Sequence, residues 1–312
     1  MSASVRIRVA GEKPMKCSPG AWLLALLLAP LCAVGAAREL RDDSGNTVKL
    51  PDTACRIVSL APGTTAMLFA AGAGHCLIGT IAHSSEPAEA AKLPIVGDAE
   101  TLDFEQLLAL RPSVVVVAVD VVQRVRIDRM RALGIPVYEV HVTRLAGMSE
   151  SLRRLGELAG TSQSANRAAD ALDAEIGALR GRFQTRPPIR VLYQIWDKPI
   201  YTIGGRHVIN DALRLCGANN VFADLATAAP AVTRESALAR DPELVLASGP
   251  PDATSAWIEE WRRFATVTAV RRGQLVGFTD ERIDRMGPSL IAATAKLCEI
   301  IDSARPAAKN SR

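Results

Sequence analysis

The sequence is short of the groups that usually announce catalysis or metal chemistry. It has four histidines, and aromatic residues make up only 4% of its 312 positions. It has no His-rich loop, no Gly-x-Ser-x-Gly elbow, no phosphate-cradling Gly-x-x-x-x-Gly-Lys and no His-Glu-x-x-His. An exported enzyme therefore has no local motif to rest on. A sustained basic patch of the kind that holds nucleic acid is also missing. The apolar run Ala21–Leu31 falls short of the ~20 residues that span a bilayer.

That run does have a recognisable setting. Arg6, Arg8, Lys13 and Lys16 precede it, and the small residues of Ala33–Ala37 follow. Basic, apolar and small-residue regions in that order predict a secretory leader over residues 1–36, cleaved near Ala36 or Ala37. The leader holds four of the 37 Lys and Arg and one of the 33 Asp and Glu, so the net charge falls from +4 to +1 without it. What remains, about 275 residues, suits two domains of ordinary size.

Four cysteines lie beyond the leader: Cys55, Cys76, Cys216 and Cys298. An even number in an exported chain favours disulfides, and three pairings are possible. Cys55 opens the apolar stretch Arg56–Leu60, and Cys76 opens Leu77–Ile81. If those stretches are neighbouring parallel strands, both cysteines fall at one end of the sheet. Cys55 would then pair with Cys76, leaving Cys216 for Cys298.

One unit occurs twice. The segment from Glu105 and the segment from Glu235 share the frame Glu-x-x-Leu-Ala-x-x-Pro-x-(Val/Leu)-Val, 130 positions apart. Each reads as a short helix stopped by proline and followed by an apolar strand. Strands and helices alternate through both halves, which predicts two similar parallel-sheet α/β lobes. Their expected limits are a first lobe over 37–147 with a lead-in hairpin, a spine helix over 148–184 weakened near Gly156, Gly160 and Thr161, a second lobe over 185–303, and a disordered tail over 304–312.

With these stretches in view, Arg56–Thr65, Leu213–Phe222 and Arg285–Ser289 make the chain similar to periplasmic substrate-binding proteins of the helical-backbone class. These receptors feed ABC importers, and within the class the likeness is strongest to the cobalamin receptors, which share the Leu-Cys-Gly cysteine followed by one in the last helix. The resemblance implies a periplasmic monomer without cofactor, an interlobe cleft for a corrinoid, and delivery to a permease dimer with its ATPase. Iron–siderophore, haem or a divalent metal are the alternative ligands. It further implies that Glu105 and Glu235 dock onto permease arginines, the reading favoured over first-turn glutamates that serve only their own helices.

A cleft at the carboxyl ends of the strands would take ligand contacts from Pro62, Gly63, His83 and Ser84 in the first half. Trp196, Tyr201 and the loop Glu281, Arg282, Ile283, Asp284 and Arg285 would supply them from the second. His83, Ala99, Ala229 and Arg282 stand where the cobalamin receptors align aromatics, which implies an altered corrinoid site. For the metal alternative, His83, His141 and His207 with Asp280 or Asp284 form the candidate ligand set.

Overall fold

The computed structural model describes residues 38–50 and 55–306, all within one compact unit. The expected leader and the last six residues lie outside the described residues. A hairpin comes first: β1 (Arg38–Arg41) pairs antiparallel with β2 (Thr47–Leu50). Its turn is closed by the Asp42 carboxylate, which accepts from the Asn46 backbone N–H at 2.8 Å.

The first sheet is wholly parallel. Its strands are β3 (Ile57–Ser59), β4 (Leu77–Thr80), β5 (Val114–Ala118) and β6 (Val137–Val140), in the order β4-β3-β5-β6. Successive side chains alternate between faces. Ile57, Val114 and Val116 pack on one side, where α1 (Pro62–Ala70) lies, while Val58, Val115 and Val117 pack on the other against α2 (Phe104–Ala109) and α3 (Arg124–Ala132).

Glu139 of β6 is a charged residue with no solvent exposure, held by Arg124 at 2.6 Å and Arg131 at 2.8 Å. Burial opposes its charge, but the hydrogen bonds prevail and its carboxyl sits below the ordinary glutamate value. A lowered folded value adds stability that is present above the unfolded pKa and lost as pH falls through the folded one. Glu139→Gln should therefore cost about 2 kcal/mol at pH 7, the scale of hydrogen bonds to charged groups. Urea titrations should show that difference shrinking in acid.

The expected spine breaks into two helices at the weak point around Gly160. α4 (Leu145–Ala159) stops at Gly160, whose φ of 74° is the left-handed turn that ends helices, and α5 (Ser162–Phe183) begins two residues on. α5 packs on α4 and leads into the second sheet. Its 22 residues span about 33 Å, and Ala165, Ala169, Leu172, Ile176 and Phe183 form its buried stripe.

The second sheet has the expected parallel centre with an antiparallel edge. Here β7 (Ile189–Trp196), β8 (Ile200–Thr202), β9 (Ala218–Asn220), β10 (Ala231–Val232), β11 (Leu244–Ser248) and β12 (Leu275–Phe278) run in the order β10-β8-β7-β11-β12, with β9 also on β7. β9, β11 and β12 are joined in parallel, but β8 and β10 are antiparallel. The turn 197–199 is too short for a crossover, so β8 folds straight back on β7. The helices of this half are α6 (Val208–Leu215), α7 (Arg234–Ala239), α8 (Pro251–Trp261), α9 (Thr268–Arg271) and α10 (Ser289–Ser303).

The repeated frame is the same structure twice. α2 and α7 are capped by Asp103 and Thr233, which accept from the backbone N–H groups of Gln106 and Ser236. Each helix is followed by a left-handed residue before the proline, Arg111 (φ 46°) and Asp241 (φ 40°). That backbone is uncommon without glycine. In both lobes an arginine at the neighbouring strand steadies it: Arg56 Nε donates to the Arg111 carbonyl at 3.1 Å, and Arg190 Nε to the Asp241 carbonyl at 3.2 Å. β5 and β11 then leave in parallel beside β3 and β7.

Disulfides join Cys55 to Cys76 and Cys216 to Cys298. The first follows from β3 and β4 being parallel neighbours with Ile57 opposite Leu77. Residues 304–306, assigned to the tail, are part of the fold. Arg305 donates to the carbonyl of Pro187 before β7 and to those of Cys216 and Gly217, left open where α6 ends.

Candidate ligand cleft

Strand ends from both halves converge. A cavity of about 100 Å3 is lined by Ala61, Pro62, Gly63 and Thr64 after β3, Ala118, Asp120 and Val121 at the end of β5, Val140 and Val142 at β6, and Asp284, Arg285 and Met286 from the second half. A second, of about 410 Å3, shares Pro62, Asp284 and Arg285 and adds His83, the Ser248–Pro251 turn after β11, and Phe278–Glu281 after β12. Parallel strands aim their carboxyl ends and following loops at this cleft, the usual ligand position in such sheets.

The two halves touch closely beside it. A Cβ on Gly63 would lie 2.6 Å from the Met286 carbonyl oxygen, so only glycine allows the first turn of α1 to meet the second lobe's backbone. Glu86, in the loop after β4, accepts from the Ser289 hydroxyl at 2.8 Å and lies 3.9 Å from Arg285. The Leu145 N–H at the start of α4 donates to the Asp211 carboxylate of α6 at 2.9 Å. The largest apolar cluster also runs without a break from Ile57 and Val114 through α5 to Val191 and Leu246.

Most of the expected site residues meet here, and several do not. Pro62, Gly63, His83, Glu281, Asp284 and Arg285 line the cleft. His83 holds a left-handed backbone at φ 66°, strain of the kind found where a loop is shaped for a task. Ser84 is buried, its hydroxyl accepting from Thr80 at 2.9 Å. Ile283 is also buried and belongs to the core. Arg282 is drawn away by Asp280, whose carboxylate takes its Nε at 2.8 Å and Nη2 at 2.6 Å; it borders an outer groove with Lys296. Those hydrogen bonds hold the Asp280 carboxyl far below its ordinary value.

Trp196 and Tyr201 sit opposite each other across β7 and β8, 59% and 37% exposed, outside both cavities. Trp196 meets Trp257 edge-on at 6.3 Å between centroids. The metal set does not assemble either. His207 Nδ1 accepts from the Ile209 N–H at 3.2 Å to cap α6, and burial lowers its pKa. His141 lies 3.8 Å from Asp120. Among the described residues, the group spaced closely enough for an ion is Cys55, His75 and Cys76, and its two sulfurs are joined to each other.

Asp120 and Ser248 had escaped the sequence reading. Ser248 accepts from the buried Tyr193 hydroxyl at 2.9 Å. Both residues stand at strand ends, the one signal that could have pointed to them. Asp284 is exposed, yet partial desolvation and then the Glu281 charge raise it above the ordinary aspartate value.

Residues 57–281 match the family model described as periplasmic binding protein. The chain belongs to that family. This is a family of solute-binding proteins of transporters, whose name places them in the periplasm. The chain is 29% identical over 259 residues to a vitamin B12-binding protein of Pectobacterium carotovorum subsp. carotovorum (strain PC1), covering 82% of this chain and 92% of that protein. It superposes on the periplasmic vitamin B12 binding protein BtuF of Vibrio cholerae with a TM-score of 0.73 at 26% identity, covering 80% of this chain and 97% of that one. The periplasmic heme-binding protein RhuT from Roseiflexus sp. RS-1, in apo form, gives a TM-score of 0.67 at 23% identity over 80% and 99% of the two chains, a likeness of fold alone.

Proposed function

We propose that this chain is the exported, monomeric receptor of an ABC importer, that it takes a corrinoid between its lobes, and that it hands the ligand to a permease dimer with its ATPase. One observation carries the reading: the cleft formed by strand ends of both lobes belongs to a chain similar over most of its length to vitamin B12-binding proteins. Pro62, Gly63, His83, Glu281, Asp284 and Arg285 are the proposed ligand contacts, and the leader over residues 1–36 is the proposed route of export. Glu105 and Glu235 are the proposed docking charges. Both are exposed in the first turns of α2 and α7. The arginines beside Glu235 are engaged elsewhere, Arg234 with Asp197 at 3.0 Å and Arg240 with Asp224 at 2.7 Å.

Native mass spectrometry of the purified protein, offered cobalamin, haem, a ferric siderophore and divalent cations together, tests the ligand. The expected result is a one-to-one complex with the corrinoid, unchanged in mass over hours because no turnover occurs. Retention of haem or a bare cation in its place would replace this reading.

A further inference from the structure

The charges of the cleft are mostly of one sign. Asp120 comes from the first lobe and Asp284 from the second, and both line the same cavity. Asp120 has His141 nearby at 3.8 Å, and Asp284 has no ion-pair partner among the described residues. Glu281 and Asp280 border the adjoining cavity. Arg285 is the single Lys or Arg in the lining of the two cavities. It already lies between Glu86 at 3.9 Å and Glu281 at 3.5 Å. Arg282, which could have offered a second cation, is bound to Asp280.

A ligand carboxylate entering this cleft would find one guanidinium, that of Arg285, already shared between Glu86 and Glu281 and outnumbered by the acids around it. It would also displace water from two carboxylates that cannot donate a hydrogen bond to it. A primary amide is the opposite case, because its two N–H groups donate to carboxylate oxygens and form charge-assisted bonds. The rim of a corrinoid carries such amides, whereas haem carries propionates and many ferric siderophores are anionic.

We propose that Asp120 and Asp284 are the specificity-determining residues of the cleft, accepting hydrogen bonds from ligand amides and excluding ligands that carry carboxylates. The assignment rests on the corrinoid reading for its natural ligand, but the charge rule has its own test. Discrimination here works by repulsion as well as attraction, since like charges set against each other weaken binding.

The experiment is calorimetric titration of the full mature protein at pH 7 with an amide corrinoid, cobinamide, and with derivatives having one, then all, of the side-chain amides hydrolysed. The first hydrolysed derivative should bind at least about tenfold more weakly, a loss of about 1.4 kcal/mol. In the Asp120→Asn/Asp284→Asn variant, that ratio should shrink by about tenfold. The single variants should each recover part of it, and circular dichroism melting would verify their folding. Equal binding of amide and acid forms, or an unchanged ratio in folded variants, would overturn the charge rule and leave the corrinoid reading standing. If no corrinoid binds, the corrinoid reading falls. A ferric hydroxamate with a free ammonium group preferred to ferric citrate would then still support the charge rule, and the reverse preference would sink it.

Discussion

Replacing Glu105 and Glu235 together with alanine is expected to abolish ligand-dependent stimulation of the importer's ATPase while leaving ligand affinity intact. Both carboxylates sit outside the cleft, one on each lobe. A pair of arginines on a two-subunit permease would hold them through charge-assisted bidentate contacts and fix the receptor's orientation. The cost to the receptor itself should be small. Asp103 and Thr233 already cap the two helices, and each first-turn acid adds only ~0.3–1 kcal/mol through the helix dipole. Reversal to lysine should be worse than alanine, because it sets like charges against the permease arginines. Raised salt should weaken association of the parent protein far more than that of the double variant. Normal uptake by the double alanine variant, with a slightly lower melting temperature, would reduce both residues to helix stabilisers.

Loss of the second-lobe disulfide should have the larger effect on stability of the two bridges. Cys216 and Cys298 are 82 residues apart, against 21 for Cys55 and Cys76. On the chain-entropy account, cutting the shorter loop costs about 3 kcal/mol and the longer about 4.5 kcal/mol. Packing adds to the difference. Cys216 and Cys298 are both fully buried, whereas Cys55 is exposed. Equilibrium urea unfolding of Cys216→Ala/Cys298→Ala beside Cys55→Ala/Cys76→Ala measures both costs. An equal or smaller loss for the second-lobe pair would contradict the ordering.

The repeated frame around Glu105 and Glu235 was readable because its parts act locally. A capping side chain, a short apolar face and a proline that ends the helix need no distant partner to be recognised. The arginines that steady the two left-handed turns, Arg56 and Arg190, were invisible in that frame, since they reach it only across the sheet. The weak point of the spine was legible too, because Gly160 marks it locally; that the left-handed glycine turns the chain so that α4 and α5 pack on each other was not. Sheet direction around Trp196 is not legible in the sequence for a related reason. Whether a short apolar stretch runs parallel or antiparallel depends on where its neighbour lies.

By itself, the sequence determined the alternation of elements, the two lobes, the cysteine pairs and the strand ends from which ligand contacts would come. These follow from period, turn chemistry and chain order. Only the tertiary structure decided which side chains at those ends face the cleft. It buried Ile283, turned Arg282 onto Asp280, left Trp196 outside the cavities and brought Asp120 and Asp284 to one cavity. The direction of a loop side chain is settled by long-range packing and by the nearest opposite charge, and neither is written in local spacing.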